Sequence, residues 1–182
     1  MIRVIRGKYK GKKLKRVPSP AVRPMPDKLK ESLFNIIHPS IEGSFVLDGF
    51  AGTGSIGIEA LSRGAEYVVF VEEYFPAVKI IQHNINKCEA QESSRVIHKE
   101  YNRAIIMLAK EGHSFDLIFL DPPYLLLEKR NPLKVVKKRN ILRKGGKLIL
   151  RHHFKTDFKT KYFKLERKIR IGDDVLQFYT IT

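Results

Sequence analysis

From Phe45 onward the sequence alternates short apolar β-forming runs with amphipathic segments, and this alternation restricts the fold more than any other feature. Phe45-Val46-Leu47, Tyr67 to Val71, Arg95 to His98, Phe115 to Leu120 and Lys147 to Leu150 read as strands. Between them, Ile56 to Arg63, Ala77 to Lys87, Ala104 to Lys110 and Leu133 to Leu142 carry helical spacing. Strands that alternate with helices pack as a mostly parallel sheet covered on both faces. Two further β-like runs, Phe163 to Ile171 and Val175 to Ile181, meet at Gly172-Asp173-Asp174, a turn suited to an antiparallel hairpin at the sheet edge. The expected fold is therefore α/β and Rossmann-like, with a mostly parallel seven-stranded sheet and an antiparallel C-terminal hairpin.

The segment before the sheet has a different character. Arg3, Arg6, Lys8, Lys10, Lys12, Lys13, Lys15 and Arg16 crowd into its first turns, and Gly7 and Gly11 permit the bends of a β-hairpin. Pro18, Pro20, Pro24 and Pro26 make an extended linker that resists helix. From Asp27, the expected cap, a helix is predicted with Leu29, Leu33, Phe34, Ile36 and Ile37 on its apolar stripe, ending before Pro39. The chain thus divides into an N-terminal extension, residues 1–43, and a sheet domain, residues 44–182.

Charge indicates the partner. Thirty-five Lys and Arg against 19 Asp and Glu leave a net +16, which favours a polyanion because neutralised phosphates release counterions. Arg3, Arg6, Lys8, Lys10, Lys12 and Lys13, with Arg23 of the linker, are the candidate RNA contacts, since Tyr9 and glycines accompany the charges. The basic run from Lys134 to Arg143 reads as a solvated helix face. No apolar run approaches the roughly 20 residues of a membrane span, and the first residues lack the core of a secretory signal. A lone Cys88 precludes an internal disulfide framework and fits a reducing cytoplasm. The histidines lack ligand spacing, and His152 and His153, adjacent on a strand, point to opposite faces, so no metal site is expected.

In such sheets ligands sit beyond the carboxyl ends of the strands near the switch point. The first strand ends in Asp48-Gly49-Phe50-Ala51-Gly52-Thr53-Gly54, where glycines allow close backbone approach and the next helix offers free N–H groups. Glu72 ends the second strand, where a carboxylate can grip a ribose diol. Gly52, Gly54 and Gly57 with Glu72 also fit a dinucleotide fingerprint. Asp48, however, puts negative charge where a sulfonium would be welcome and a pyrophosphate would not. The expected cofactor is S-adenosylmethionine, held by Asp48, Phe50, Ala51, Gly52, Thr53, Gly54 and Glu72.

The fourth strand ends in Asp121-Pro122-Pro123-Tyr124. An exocyclic amine of a base is a poor nucleophile because its lone pair is delocalised into the ring. A carboxylate at Asp121 and a carbonyl at Pro122 can accept hydrogens from that amine, while Pro122 and Pro123 stiffen the backbone and remove competing donors. Tyr124 offers a face on which an extruded base can stack. With the glycine loop upstream, the chemistry expected of Asp121, Pro122, Pro123 and Tyr124 is methyl transfer to such an amine.

These residues carry a resemblance. Arg3-Val4-Ile5-x-Gly7-x-Tyr9-x-Gly11-x-x-Leu14, Arg23-Pro24-x-x-Asp27-x-x-x-Glu31-x-Leu33-Phe34-Asn35 and Ala60-Leu61-Ser62-Arg63-Gly64-Ala65, together with both motifs, resemble the bacterial RsmD-type 16S rRNA guanine-N2 methyltransferases. The resemblance covers residues 1 to about 150. It implies a class I S-adenosylmethionine-dependent methyltransferase that modifies one guanine of 16S rRNA in small-subunit ribosomal particles, as a cytoplasmic monomer. It also implies an adenine-contacting acid after the third strand, for which Glu100 is the equivalent. The chain departs from the family pattern at Tyr74, where Asp or Asn is usual, at Tyr101, where Ala is usual, and at Arg151-His152-His153, where a glutamate usually ends the fifth strand. Two other readings compete: an amino-methyltransferase of DNA or another nucleic acid, and a non-catalytic RNA-binding assembly factor.

Overall fold

The computed structural model describes residues 1–181. Two short antiparallel strands, β1 (Ile2–Arg3) and β2 (Lys13–Leu14), open the chain. Helix α1 (Asp27–Ile37) follows, with Asp27 as its first residue and Pro26 as the cap. The sheet then forms from β3 (Phe45–Asp48), β4 (Tyr67–Glu72), β5 (Ser94–His98), β6 (Phe115–Leu120), β7 (Leu142–His153), β8 (Lys164–Ile171) and β9 (Asp174–Thr180). Helices α2 (Ser55–Ser62), α3 (Phe75–Lys87), α4 (Tyr101–Lys110), α5 (Tyr124–Lys129) and α6 (Leu133–Arg139) lie between β3 and β7.

The strand order is β5-β4-β3-β6-β7-β9-β8. Strands β3 to β7 pair in parallel, and β9 runs antiparallel to both β7 and β8. This is the expected Rossmann-like sheet with its terminal hairpin. Because successive side chains alternate, each central strand feeds two cores. Val46, Phe70, Leu117 and Phe178 pack with Leu33, Phe34 and Ile58 on one face. Leu47, Ile118 and Leu150 pack with Ile105, Leu108, Leu133 and Val136 on the other.

Three local readings are corrected. The helix expected over Leu133 to Leu142 stops at Arg139, because Asn140 takes a left-handed conformation (φ 52°) and ends it. Strand β7 is longer than Lys147 to Leu150: pairing with β6 starts at Phe115↔Leu142 and resumes at Leu117↔Lys147, so the Gly145-Gly146 region bulges out of a continuing strand. The short helix α5 follows directly on Pro123, where no helix was read.

The N-terminal extension is docked on the sheet domain. Ile2, Val4, Tyr9, Leu14, Met25 and Leu29 belong to the same apolar cluster as Leu117 and Phe119. Glu59 of α2 is wholly buried. Its carboxylate accepts hydrogen bonds from the Ile5 and Arg6 N–H groups at 2.9 and 3.0 Å and pairs with Arg63 and Lys30. Gly7 lies so close to α2 that a Cβ there would overlap the Ser62 carbonyl. Tyr9 is buried, so its ring serves the core and not a nucleic-acid surface.

Candidate active site

The strand order reverses between β3 and β6, so the loops leaving these neighbours diverge to opposite faces and leave a crevice at their carboxyl ends. The glycine loop leaves β3 and Asp121-Pro122-Pro123-Tyr124 leaves β6. They are joined at the base: the Gly49 N–H donates to the Phe119 carbonyl at 2.9 Å. A cleft of about 930 Å³ opens above them, within the range of cofactor sites.

Asp48, Phe50, Ala51, Gly52, Thr53 and Glu72 all line this cleft. Gly54 caps α2 with φ 77°, a conformation that costs a side-chain-bearing residue free energy, and so turns the helix N-terminus toward the cleft. Asp48 is 3% exposed, and one of its oxygens accepts from the Gly57 N–H at 3.1 Å. Burial, reinforced by the charges of Asp121 and Glu72, pushes its carboxyl up to about 7. Glu72 accepts from the Gly52 N–H at 2.8 Å and the Tyr74 N–H at 2.9 Å. It therefore braces the glycine loop while its oxygens keep lone pairs for a diol. Phe50 stacks on Tyr101, ring centroids 4.5 Å apart. Tyr101 is anchored by donating to the Pro132 carbonyl at 2.9 Å.

Glu100 takes a different position. It caps α4 by accepting from the Arg103 N–H and pairs with Arg130, while its neighbours Lys99 and Tyr101 line the cleft. Gly52 and the rest of the loop have a neighbour the sequence did not suggest. Residues 19–25, read as a linker, form one wall of the cleft, and Val22 faces Gly52. Asn84 of α3 ties the chain that leads into this wall to the loop, bonding Lys15 on one side and the Thr53 carbonyl on the other.

Asp121, Pro122, Pro123 and Tyr124 line the same cleft. Tyr124 is 41% exposed, with its ring edge-on to His153 at 5.6 Å. Asp121 receives a 2.8 Å bond from Arg151, which also donates to Asp174 at 2.9 Å. Burial pushes the Asp121 carboxyl up and Arg151 pulls it down, with burial prevailing. Arg151 was not read as a functional residue. Its one sequence signal was a cation at the end of a central strand, where the family pattern has an acid.

Of the candidate RNA contacts only Arg23 lines the cleft. Arg3 pairs with Asp27, Lys12 donates to the Lys87 carbonyl, and Arg6, Lys8, Lys10 and Lys13 are exposed. Among the described residues no group of acids, histidines and cysteines could hold a metal, and no helix is long and apolar enough to cross a membrane.

This sheet order, with a buried acid beneath a glycine loop and an Asp-Pro-Pro-Tyr turn opposite, defines a class I S-adenosylmethionine-dependent methyltransferase. The chain belongs to the family described as Conserved hypothetical protein 95, whose model matches residues 2–180, so the RsmD-type resemblance holds through the C-terminal hairpin as well. The Bacillus subtilis protein YlbH is 39% identical over 151 residues, covering 83% of this chain and 82% of its own. The Haemophilus influenzae ribosomal RNA small subunit methyltransferase D is 40% identical over 125 residues, covering 68% of this chain and 64% of its own. A solved Escherichia coli structure shares the fold with a TM-score of 0.85 at 24% identity, covering 99% of this chain and 97% of that one.

Proposed function

We propose that the protein methylates the exocyclic N2 of one guanine in 16S rRNA, acting as a cytoplasmic monomer on small-subunit ribosomal particles. One observation carries this reading: the acids Asp48 and Glu72 and the turn Asp121–Tyr124 line the same cleft. The family and the Haemophilus relative's activity on small-subunit rRNA support the choice of substrate, as does the +16 charge.

The cleft suits the cofactor. Burial makes the charged form of Asp48 costly unless a cation arrives, and a sulfonium with its amino group supplies one. Asp48 would face that charge and Glu72 the ribose, with Phe50, Ala51, Gly52, Thr53 and Gly54 forming the cradle. When bound, the cofactor supplies an electrophilic methyl group. Tyr124 stacks on the extruded guanine, and the Pro122 carbonyl and the Asp121 carboxylate accept the two amine hydrogens. This localises the nitrogen lone pair and aligns it for in-line attack. Asp121 would then take the surplus proton of the methylated nitrogen and pass it to water.

The experiment is incubation of the purified protein with labelled S-adenosylmethionine and 30S particles lacking the modification, followed by nucleoside analysis. Labelled N2-methylguanine is expected with the unaltered protein, and at least a hundredfold less with Asp121→Ala. No label in rRNA, a preference for duplex DNA, or full activity of Asp121→Ala would each refute the reading.

A further inference from the structure

Arg151 has an unusual position for a charged residue. It sits two positions before the end of β7, opposite Leu176 of β9, with only 7% of its side chain exposed, yet it reaches the catalytic turn. Its Nη1 donates to Asp121 Oδ2 at 2.8 Å and its Nε to Asp174 Oδ1 at 2.9 Å. One guanidinium thus ties together the end of β6, the end of β7 and the start of β9. Among the described residues no protein group bonds Asp121 Oδ1.

We propose that Arg151 is a positioning residue that holds Oδ2 of Asp121 and so presents Oδ1 as the single oxygen available to the acceptor amine. This rests on the methyltransfer reading above and adds to it a residue, a direction and a charge. A free carboxylate rotates about its Cβ–Cγ bond and can offer either oxygen. A fork that binds one oxygen and is itself anchored on Asp174 removes that freedom before substrate arrives. The anchor matters as much as the fork, since an arginine bonded to Asp121 alone could follow it.

The same arrangement has an electrostatic consequence. The charged groups that act on Asp121 are Arg151 on β7 and Asp174 on β9, while Asp48 on β3 and Tyr124 on its own turn feel its charge; His153 and Arg23 line the same cleft beside Tyr124. Burial and Asp174 raise the Asp121 carboxyl, and Arg151 alone opposes them appreciably. An Asp121 that protonates loses the acceptor that the amine needs. The acid limb of the rate profile therefore depends on Arg151 and Asp174 with opposite signs.

The test is the pH dependence of single-turnover methylation of 30S particles by the unaltered protein and by Arg151→Met, Arg151→Lys and Asp174→Asn, with cofactor affinity measured alongside. Arg151→Met should slow methylation tenfold or more and move the acid limb to higher pH. Asp174→Asn should move the limb to lower pH while slowing the reaction severalfold, because the anchor is lost. Arg151→Lys should keep the limb near its original place but remain slower, having charge without the fork. Cofactor affinity should change less than threefold throughout. A packing role would neither move the limb to lower pH in Asp174→Asn nor slow Arg151→Lys with the limb in place, so these two variants decide the matter even if Arg151→Met does not fold. An unshifted limb in Asp174→Asn, or full-rate methylation by Arg151→Lys, would overturn this inference alone. No methylation by the unaltered protein would overturn it together with the reading it rests on.

Discussion

At the residue scale the site depends on carboxylates whose surroundings disfavour their charge. Asp48 is buried beneath the glycine loop, and its carboxyl rises from 3.8 to about 7. A carboxyl raised on folding binds more protons in the folded than in the unfolded state. It therefore lowers stability as pH climbs through the interval between those two values. A cationic ligand reverses that penalty by favouring the ionised form. Cofactor affinity should accordingly rise from pH 6 to pH 7, by up to about tenfold per unit, and level off above pH 8. Isothermal titration calorimetry across that range checks this, and a flat profile would contradict it. Asp48→Asn should match or exceed the unaltered protein in Tm at pH 8, by about 2–4 °C per kcal/mol recovered, which thermal melts would register. Asp48 and Asp121 were legible in the sequence because each ends an apolar run. Arg151 was not, because a cation at a strand end looks the same whether it faces solvent or two carboxylates.

At the element scale the N-terminal extension is held by groups that belong to the sheet domain. Glu59 compensates two hairpin N–H groups and the buried cations Lys30 and Arg63 at once. Lys30 also donates to the Arg3 carbonyl at 2.7 Å, so removing the acid strands both cations and the hairpin backbone. Glu59→Ala should cost about 3–5 kcal/mol in denaturant unfolding, as for other broken buried pairs. A loss below 1 kcal/mol would show that the hairpin docks by apolar contact alone. Gly7→Ala should be strongly destabilising too, since its Cβ would overlap the Ser62 carbonyl. The strands and α1 to α4 were readable from periodicity and turn residues. The early end of α6 was hidden because Asn140 enters a left-handed conformation only when Ile141 and Leu142 are recruited into the core and β7. Helix α5 was hidden because Tyr124 to Lys129 is short and buries none of its residues, so it has no periodic apolar face. The proline segment is non-helical, as expected, but turns at Ser19 to Val22 interrupt the extended run, and nothing in its composition indicates that residues 19–25 wall the cleft.

At the scale of the whole molecule, charge and cleft are separate features. The basic hairpin surface lies on the N-terminal extension, while the glycine loop and the Asp121–Tyr124 turn lie at the switch point of the sheet. RNA affinity and methyl-donor affinity should therefore respond to different changes. Reversing Arg6, Lys8 and Lys10 to Glu should weaken binding to 30S particles by tenfold or more at moderate salt and flatten its salt dependence, as measured by filter binding. Cofactor affinity should stay unchanged, and an unaltered salt slope would remove the hairpin from the RNA interface.

In the proposed division of labour within one cleft, Asp48 and Glu72 hold the donor and Asp121 and Tyr124 hold the acceptor. The most direct test is calorimetric titration of S-adenosylmethionine into the unaltered protein, Asp48→Asn and Asp121→Ala. The unaltered protein and Asp121→Ala should bind with similar affinity, within about threefold, while Asp48→Asn binds at least tenfold more weakly. Loss of binding in Asp121→Ala, or undiminished binding in Asp48→Asn, would contradict the assignment of the two acids.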